Sequence, residues 1–161
     1  MYRAPAILVF AALGLSACGG SAPQSATESA SRLLAAAVKG DRVAFEAQID
    51  RTAVREDVRR QVAEMGRATL LDVDGGASEF ALDRMISPAA FRVVRAGSGE
   101  ALRTAPTPGQ VARLMTQVDG RHACLKDVKA GPCLLTFAKA KDRWRLVGMK
   151  ATDLTIAVAG D

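Results

Sequence analysis

Apolar positions recur at helical spacing through most of the chain and in short alternating runs near its end. Leu33, Leu34, Ala37 and Val38 make the first helical stripe. Ser25 and Glu28 ahead of it have the spacing of a capping box, with Thr27 as an alternative cap. Gly40 suits the left-handed position that ends a helix. Asp41 is placed to cap a second, short helix carrying Val43, Phe45 and Ile49, and Asp50 to cap a third. Ile49 and Val54 around that cap fit a hydrophobic staple. In the third helix Val54, Val58, Val62 and Met65 line one face and Arg51, Arg55 and Arg59 another, with Glu56 placed to pair with Arg60. Its end is expected near Gly66 or shortly after. Residues 69–73 fit either more helix or a strand, and Asp74-Gly75-Gly76 is a turn. Residues 80–86 read as helix. Ser87-Pro88 has the cap-plus-proline pattern of a helix running to about Val94. Residues 97–106 are loop. Thr107-Pro108 repeats the start signal before Val111, Leu114, Met115 and Val118.

After Gly120 the period shortens. Residues 121–127, 133–140 and 143–149 are strand-like runs, with turn signals at 129–132 and at Lys141-Asp142. Leu135 and Phe137 share one face of their run, as Trp144 and Leu146 do of theirs. A fourth strand fits at residues 154–158. The expected fold is α+β: N-terminal helices followed by a C-terminal antiparallel β-meander whose apolar face packs on them.

Residues 4–17 are a separate case. These fourteen residues, APAILVFAALGLSA, follow the single charge of Arg3 and form about 21 Å of helix. That is shorter than the roughly 30 Å hydrocarbon core, so the segment reads as a secretory leader and not as a spanning helix. Leu15-Ser16-Ala17-Cys18 resembles the bacterial lipoprotein cleavage site: an aliphatic residue, two small residues, then a cysteine whose sulfur receives a diacylglyceryl group. The resemblance implies a mature chain starting at acylated Cys18, facing the periplasm, with Gly19 in place of Asp directing it to the outer membrane. Acyl chains contribute about 0.8 kcal/mol per buried CH₂, so several make a stable anchor. The small, polar, proline-containing stretch that follows is a tether with a reach of roughly 15 Å. The expected organisation is a leader at 1–17, acylated cysteine and tether at 18–26, and one domain at 27–161.

Composition narrows the classes. The 161 residues are 49% hydrophobic and 24% charged, which argues against disorder. The length favours one domain, and only the leader is a long apolar run. The formal charge is +5, falling to +4 if Arg3 leaves with the leader. Its cations are spread over Arg51, Arg55, Arg59 and Arg60 and over Lys139, Lys141, Arg143 and Arg145. Nucleic acid would require a concentrated basic stripe with aromatic stacking surfaces, whereas only 4% of residues are aromatic, so no nucleic-acid partner is expected. A solvated face is the plain reading; attraction to anionic headgroups or a cell-wall polymer beside the anchor is the sharper one.

Three cysteines cannot all pair within one chain. With Cys18 assigned to lipid, Cys124 and Cys133 remain, enclosing CLKDVKAGPC, and a local disulfide is expected in an oxidising envelope. A redox or metal pair with His122 is the alternative. The spacing is not C-x-x-C, and the set is one ligand short of a structural zinc site. His122 is the only histidine, and no nucleophile–base–orienter pattern surrounds it. Asp72, Asp74 and Glu79 lack the remaining positions of a calcium loop. No catalytic residue, metal ligand or cofactor is therefore nominated.

Gly40-Asp41, Phe45, Asp50, Val54-Arg55 and Val58, then Ile86-Ser87-Pro88 and Phe91, then Phe137 and Trp144-Arg145-Leu146 follow one another in an order that resembles a small bacterial family known only as a domain of unknown function. The resemblance spans roughly residues 30–150. The chain departs from the pattern at Cys124 and Cys133, and in having Val54 where leucine is usual. The helix–Gly-Asp–helix opening and the closing meander are also similar to the nuclear-transport-factor-like cone fold. These resemblances imply a fold and no activity, because that fold hosts enzymes and binding modules alike. The functional expectation is a non-enzymatic envelope lipoprotein that binds an envelope protein or cell-wall partner, or helps organise the envelope. A small-ligand carrier or sensor with a pocket between sheet and helices is the second reading, and an unrecognised enzyme the third.

Overall fold

The computed structural model describes residues 25–68, 77–126 and 131–160. The leader, Cys18, residues 19–24 of the tether, the undecided stretch at 69–73, the turn at 74–76 and part of the turn at 129–132 lie outside the described residues.

Three helices open the fold. Helix α1 (Ala26–Lys39) begins at Ser25, whose Oγ accepts from the Glu28 N–H at 3.1 Å, and ends at Gly40 in the left-handed region (φ 67°). The Glu28 carboxylate pairs with Arg32. Leu33, Leu34 and Ala37 are buried. Helix α2 (Arg42–Glu46) is capped by Asp41 and spans barely one turn. Phe45 enters the core, whereas Val43 is 83% exposed and Ile49 lies beyond the helix, bridged in parallel to Leu146. Helix α3 (Arg51–Ala68) is capped by Asp50, whose Oδ1 accepts from Ala53 N–H at 3.2 Å. Its stripe fades along its length: Val54 and Val58 are fully buried, Val62 partly, and Met65 is exposed. Arg60 pairs with Asp57, not with Glu56.

Two expected helices are shorter than their periodicity implied. After α4 (Glu79–Met85), Ser87-Pro88 starts a single 3-10 turn at Pro88–Ala90, and the chain then becomes strand β1 (Arg92–Arg95). The β-branched pair Val93 and Val94 is buried there, with β1 in parallel register against β6 (Thr155–Val158). Helix α5 (Pro108–Leu114) has a reciprocal capping box between Thr107 and Gln110 but stops at Leu114. Met115 turns extended (φ −84°, ψ 135°), and Met115–Gln117 forms strand β2. Met115 therefore belongs to a sheet, and Val118 is exposed in the turn after it. In both places pairing with a distant strand overrides a local helical pattern, a signal that periodicity does not carry.

Strands β3 (His122–Lys126), β4 (Cys133–Ala140) and β5 (Arg143–Met149) form the meander, and the four-stranded antiparallel sheet runs β2-β3-β4-β5. Its additional strand is thus β2. Residues 155–158 are a strand, but one that pairs with β1 in a separate two-stranded sheet. The fold is α+β, with the described helices largely preceding the antiparallel sheet. Leu125, Leu135, Phe137, Trp144 and Leu146 pack with Leu33, Leu34, Phe45, Val54, Val58 and Ile156 in one core cluster. Each such large side chain contributes about 1.5–3 kcal/mol through burial.

The free edge of β5 is closed from within the chain. Asp50 N–H donates to Leu146 O at 2.8 Å, and Leu146 N–H to Gln48 O at 2.9 Å. Farther along, Asp57 accepts from Met149 N–H at 3.1 Å. The Gln61 amide donates to Met149 O at 2.8 Å and accepts from Ala151 N–H at 3.1 Å. Ser29, the one buried polar residue among those described, donates from Oγ to Trp144 O at 2.8 Å and fixes the first turns of α1 to the start of β5.

Candidate functional site

One face of the four-stranded sheet meets the helices, and the other is open. Register places Thr116, Cys124, Thr136 and Gly148 side by side across all four strands on the face away from the core, where Asp57 of α3 covers Gly148 at the β5 edge. Two shallow hollows lie over them. The first, about 620 Å³, is bordered by Thr116, Asp119, His122, Cys124, Cys133 and Thr136. The second, about 390 Å³, continues over Val147 and Gly148 to Glu56, Asp57 and Arg60 of α3, and shares His122 and Thr136 with the first.

Cys124 and Cys133 are joined by a disulfide, with Sγ atoms 2.07 Å and Cα atoms 5.6 Å apart. Cys124 is buried and Cys133 exposed. The link sits where β4 carries one extra residue, since Leu125 pairs with Leu135 and Lys126 with Cys133. This register shift buries Leu134 and Leu135 together and leaves the bridge on the face away from the core.

Asp119 organises the turn from β2 to β3. Its Oδ1 accepts from Arg121 N–H at 2.6 Å and His122 N–H at 2.7 Å, and Oδ2 lies 2.8 Å from His122 Nδ1. The Arg121 N–H, and then the His122 side chain, hold this carboxyl below the usual carboxylate range. A carboxylate on Nδ1 orients an imidazole, as a general base requires. Among the described residues no hydrogen bond joins that ring to Thr116 or Thr136. Among the described residues no group of three or more His, Cys, Asp or Glu side chains is arranged to hold a metal ion. Asp119 was not singled out by motif, although Asp119-Gly120 three residues before His122 is a turn signal.

Two of the basic rows differ in a way that sequence alone does not show. On α3, Arg51 pairs with Glu46 at 2.7 Å and Asp83 at 3.0 Å; Arg55 pairs with Asp83 and Glu79; Arg59 pairs with Glu79. These arginines dock α4 and lower the Asp83 carboxyl, Arg55 first and Arg51 next. Lys139, Lys141, Arg143 and Arg145 on the β4–β5 hairpin have no ion-pair partner among the described residues. They border a third hollow of about 360 Å³ that also includes Asp50 and Asp142.

The fold and site thus define an α+β module with a packed helix–sheet interface, an open disulfide-bearing sheet face and a basic hairpin. No family model, curated protein or solved structure matches the chain. Among the described residues no helix is long and apolar enough to cross a membrane.

Proposed function

We propose that the chain is a lipid-anchored lipoprotein of the bacterial envelope that works by binding, with Cys18 as the acylated residue and an envelope protein or cell-wall polymer as partner. The observation that carries this reading is the division of the cysteines. Cys124 and Cys133 bond to each other, in keeping with an oxidising compartment, and Cys18 is left alone in Leu15-Ser16-Ala17-Cys18. Binding is supported by the open, shallow form of the hollow that the His122–Asp119 pair borders.

Metabolic labelling with an alkyne fatty acid tests the anchor. Wild-type chain takes up label and partitions with membranes, and Cys18→Ser does neither. Equal labelling of the two refutes the reading. A small-ligand carrier is supported by the size of the 620 Å³ hollow, which falls within the range of small-molecule sites. That hollow lies on the open sheet face and not between sheet and helices.

A further inference from the structure

We infer that the tip of the β4–β5 hairpin rests on the anionic headgroups of the membrane that holds the anchor, so that the module stands on its membrane in one orientation. The inference rests on the lipid-anchor reading above and adds a surface and a direction to it.

Three observations converge on this tip. The first is where the chain enters the fold. Ser29, in the first turn of α1, is bonded to Trp144 O, two residues from the Lys141-Asp142 turn and so about 7 Å from it. The seven residues from Cys18 to Ser25 span at most about 25 Å, and roughly 15 Å on average. The described chain therefore starts at the same end of the molecule as the hairpin tip.

The second is charge. Residues 139–145 carry Lys139, Lys141, Arg143 and Arg145 against the single acid Asp142. Asp50 borders the same hollow, and its Oδ1 is engaged in capping α3. Lys139 is in register with Trp144 on the helix-facing side, while Arg143 and Arg145 alternate with Trp144 onto the other side. Charge thus rings the tip, as contact with a surface approached end-on requires. The arginine row of α3, equally basic in sequence, is neutralised by Glu46, Asp83 and Glu79 and offers no such surface.

The third is the turn itself. Ala140 pairs with Arg143, so the loop has only two residues, and Lys141 has φ 56°. Glycine or asparagine suits that left-handed position best. A lysine there keeps a cation at the point of the hairpin against the local backbone preference. An anionic bilayer is the occupant that matches all three: it lies at the end of the tether, carries the opposite charge, and needs no shaped pocket.

The test uses the full chain, purified with its anchor and reconstituted into vesicles of phosphatidylcholine alone or with phosphatidylglycerol. Flotation with the vesicles reports the anchor. Pulse labelling of lysine amines with a water-soluble acylating reagent, read residue by residue by mass spectrometry, reports the orientation. Lys39, exposed at the far end of α1 and about 20 Å along its axis from Ala26, is the internal control. Lys139 and Lys141 should label about threefold or more slowly on the anionic vesicles than on the neutral ones, with Lys39 unchanged. The difference should vanish at about 1 M salt, where the Debye length falls to about 3 Å. Flotation with equal labelling of Lys139 and Lys141 on both vesicle types overturns the orientation and leaves the anchor standing. Equal protection of Lys39 also overturns it, since the module would then lie on the bilayer without a preferred end. A chain that neither carries acyl groups nor floats overturns the anchor, and this inference with it.

Discussion

Gly148 is the residue whose replacement most directly tests how α3 is joined to the sheet. It follows the bulge at Val147, where Thr136 pairs with Gly148 and Phe137 with Leu146. A Cβ added to it would stand 2.9 Å from Asp57 Oδ2, closer than Cβ atoms come to other groups, and 3.2 Å from Asp57 Cγ, a tight contact. Asp57 cannot retreat freely, because the same oxygen accepts from Met149 N–H at 3.1 Å and from the Gln61 amide at 2.8 Å. Gly148→Ala therefore forces a choice between overlap and the loss of charge-assisted bonds, each worth about 1.5–3 kcal/mol. A destabilisation of about 2–3 kcal/mol is expected, against the roughly 0.4–1 kcal/mol that glycine-to-alanine replacement returns by stiffening the unfolded chain. Asp57→Ala removes the obstacle and strands Met149 N–H, at about 1–3 kcal/mol. In that background the sign of Gly148→Ala should reverse to neutral or stabilising. The coupling in a double-mutant cycle should be about 2–4 kcal/mol. Urea unfolding of the four proteins, followed by fluorescence of Trp144, measures it. A Gly148→Ala penalty below about 0.5 kcal/mol, or the same penalty with and without Asp57, refutes the close approach as the reason for glycine here.

Reducing the purified chain should raise its mass by two hydrogens, and on the chain-entropy account the closure of a roughly ten-residue loop is worth about 2.7 kcal/mol, read as a lower urea midpoint. Two free thiols in protein purified without reductant would contradict the bridge. Ser29→Ala leaves Trp144 O without its buried donor and should lower stability by about 1–2 kcal/mol, with hydrogen exchange rising first in α1. Because Arg55 and Arg51 lower the Asp83 carboxyl, its contribution is present above the ordinary carboxylate pKa and lost as pH falls through the lowered one. Stability of the wild type should therefore decline below about pH 4 more steeply than that of Asp83→Asn; parallel thermal melts from pH 5 to 2 would show the difference, and identical slopes would exclude this pairing as a source of acid sensitivity.

Much of this architecture was legible because its causes are local. Ser25, Asp41, Asp50 and Thr107 cap the helices that follow them, and Gly40 takes the left-handed position, since caps and turns act over three or four residues. The meander was legible for the same reason: each strand pairs with the next across a short turn. What misled were the stretches whose partner is remote. Val93 and Val94 fit a helix until Thr155–Val158 pairs with them, and Met115 fits one until Leu125 does. The two cation rows looked alike because their difference lies in Glu46, Glu79 and Asp83, brought to α3 by other elements. The open face was illegible for a further reason. Thr116, Thr136 and Gly148 have no pattern of their own, and only the register of four strands aligns them with Cys124.

The treatment of the sheet's edges bears on how such a module would bind. An exposed strand edge is the usual template for a partner that adds a strand. The edge of β5 is already taken: residues 48–50 pair with Leu146, and the side chains of Asp57 and Gln61 occupy Met149 N–H, Met149 O and Ala151 N–H. The opposite edge is β2, three residues long, and short edge strands offer little to an incoming chain. Strand addition is thus disfavoured at both sides of the sheet. Two other surfaces among the described residues are the open face, with its disulfide and the His122–Asp119 pair, and the basic hairpin tip. If the tip is turned to the membrane, the open face stands along the side of the module, within tether's reach of the bilayer and free for a second partner. A partner seated there would contact Thr116 and Thr136, so Thr136→Arg should abolish its capture while leaving the protection of Lys139 and Lys141 on anionic vesicles unchanged. Loss of both together would mean that one surface serves both contacts, against the division argued from the edges.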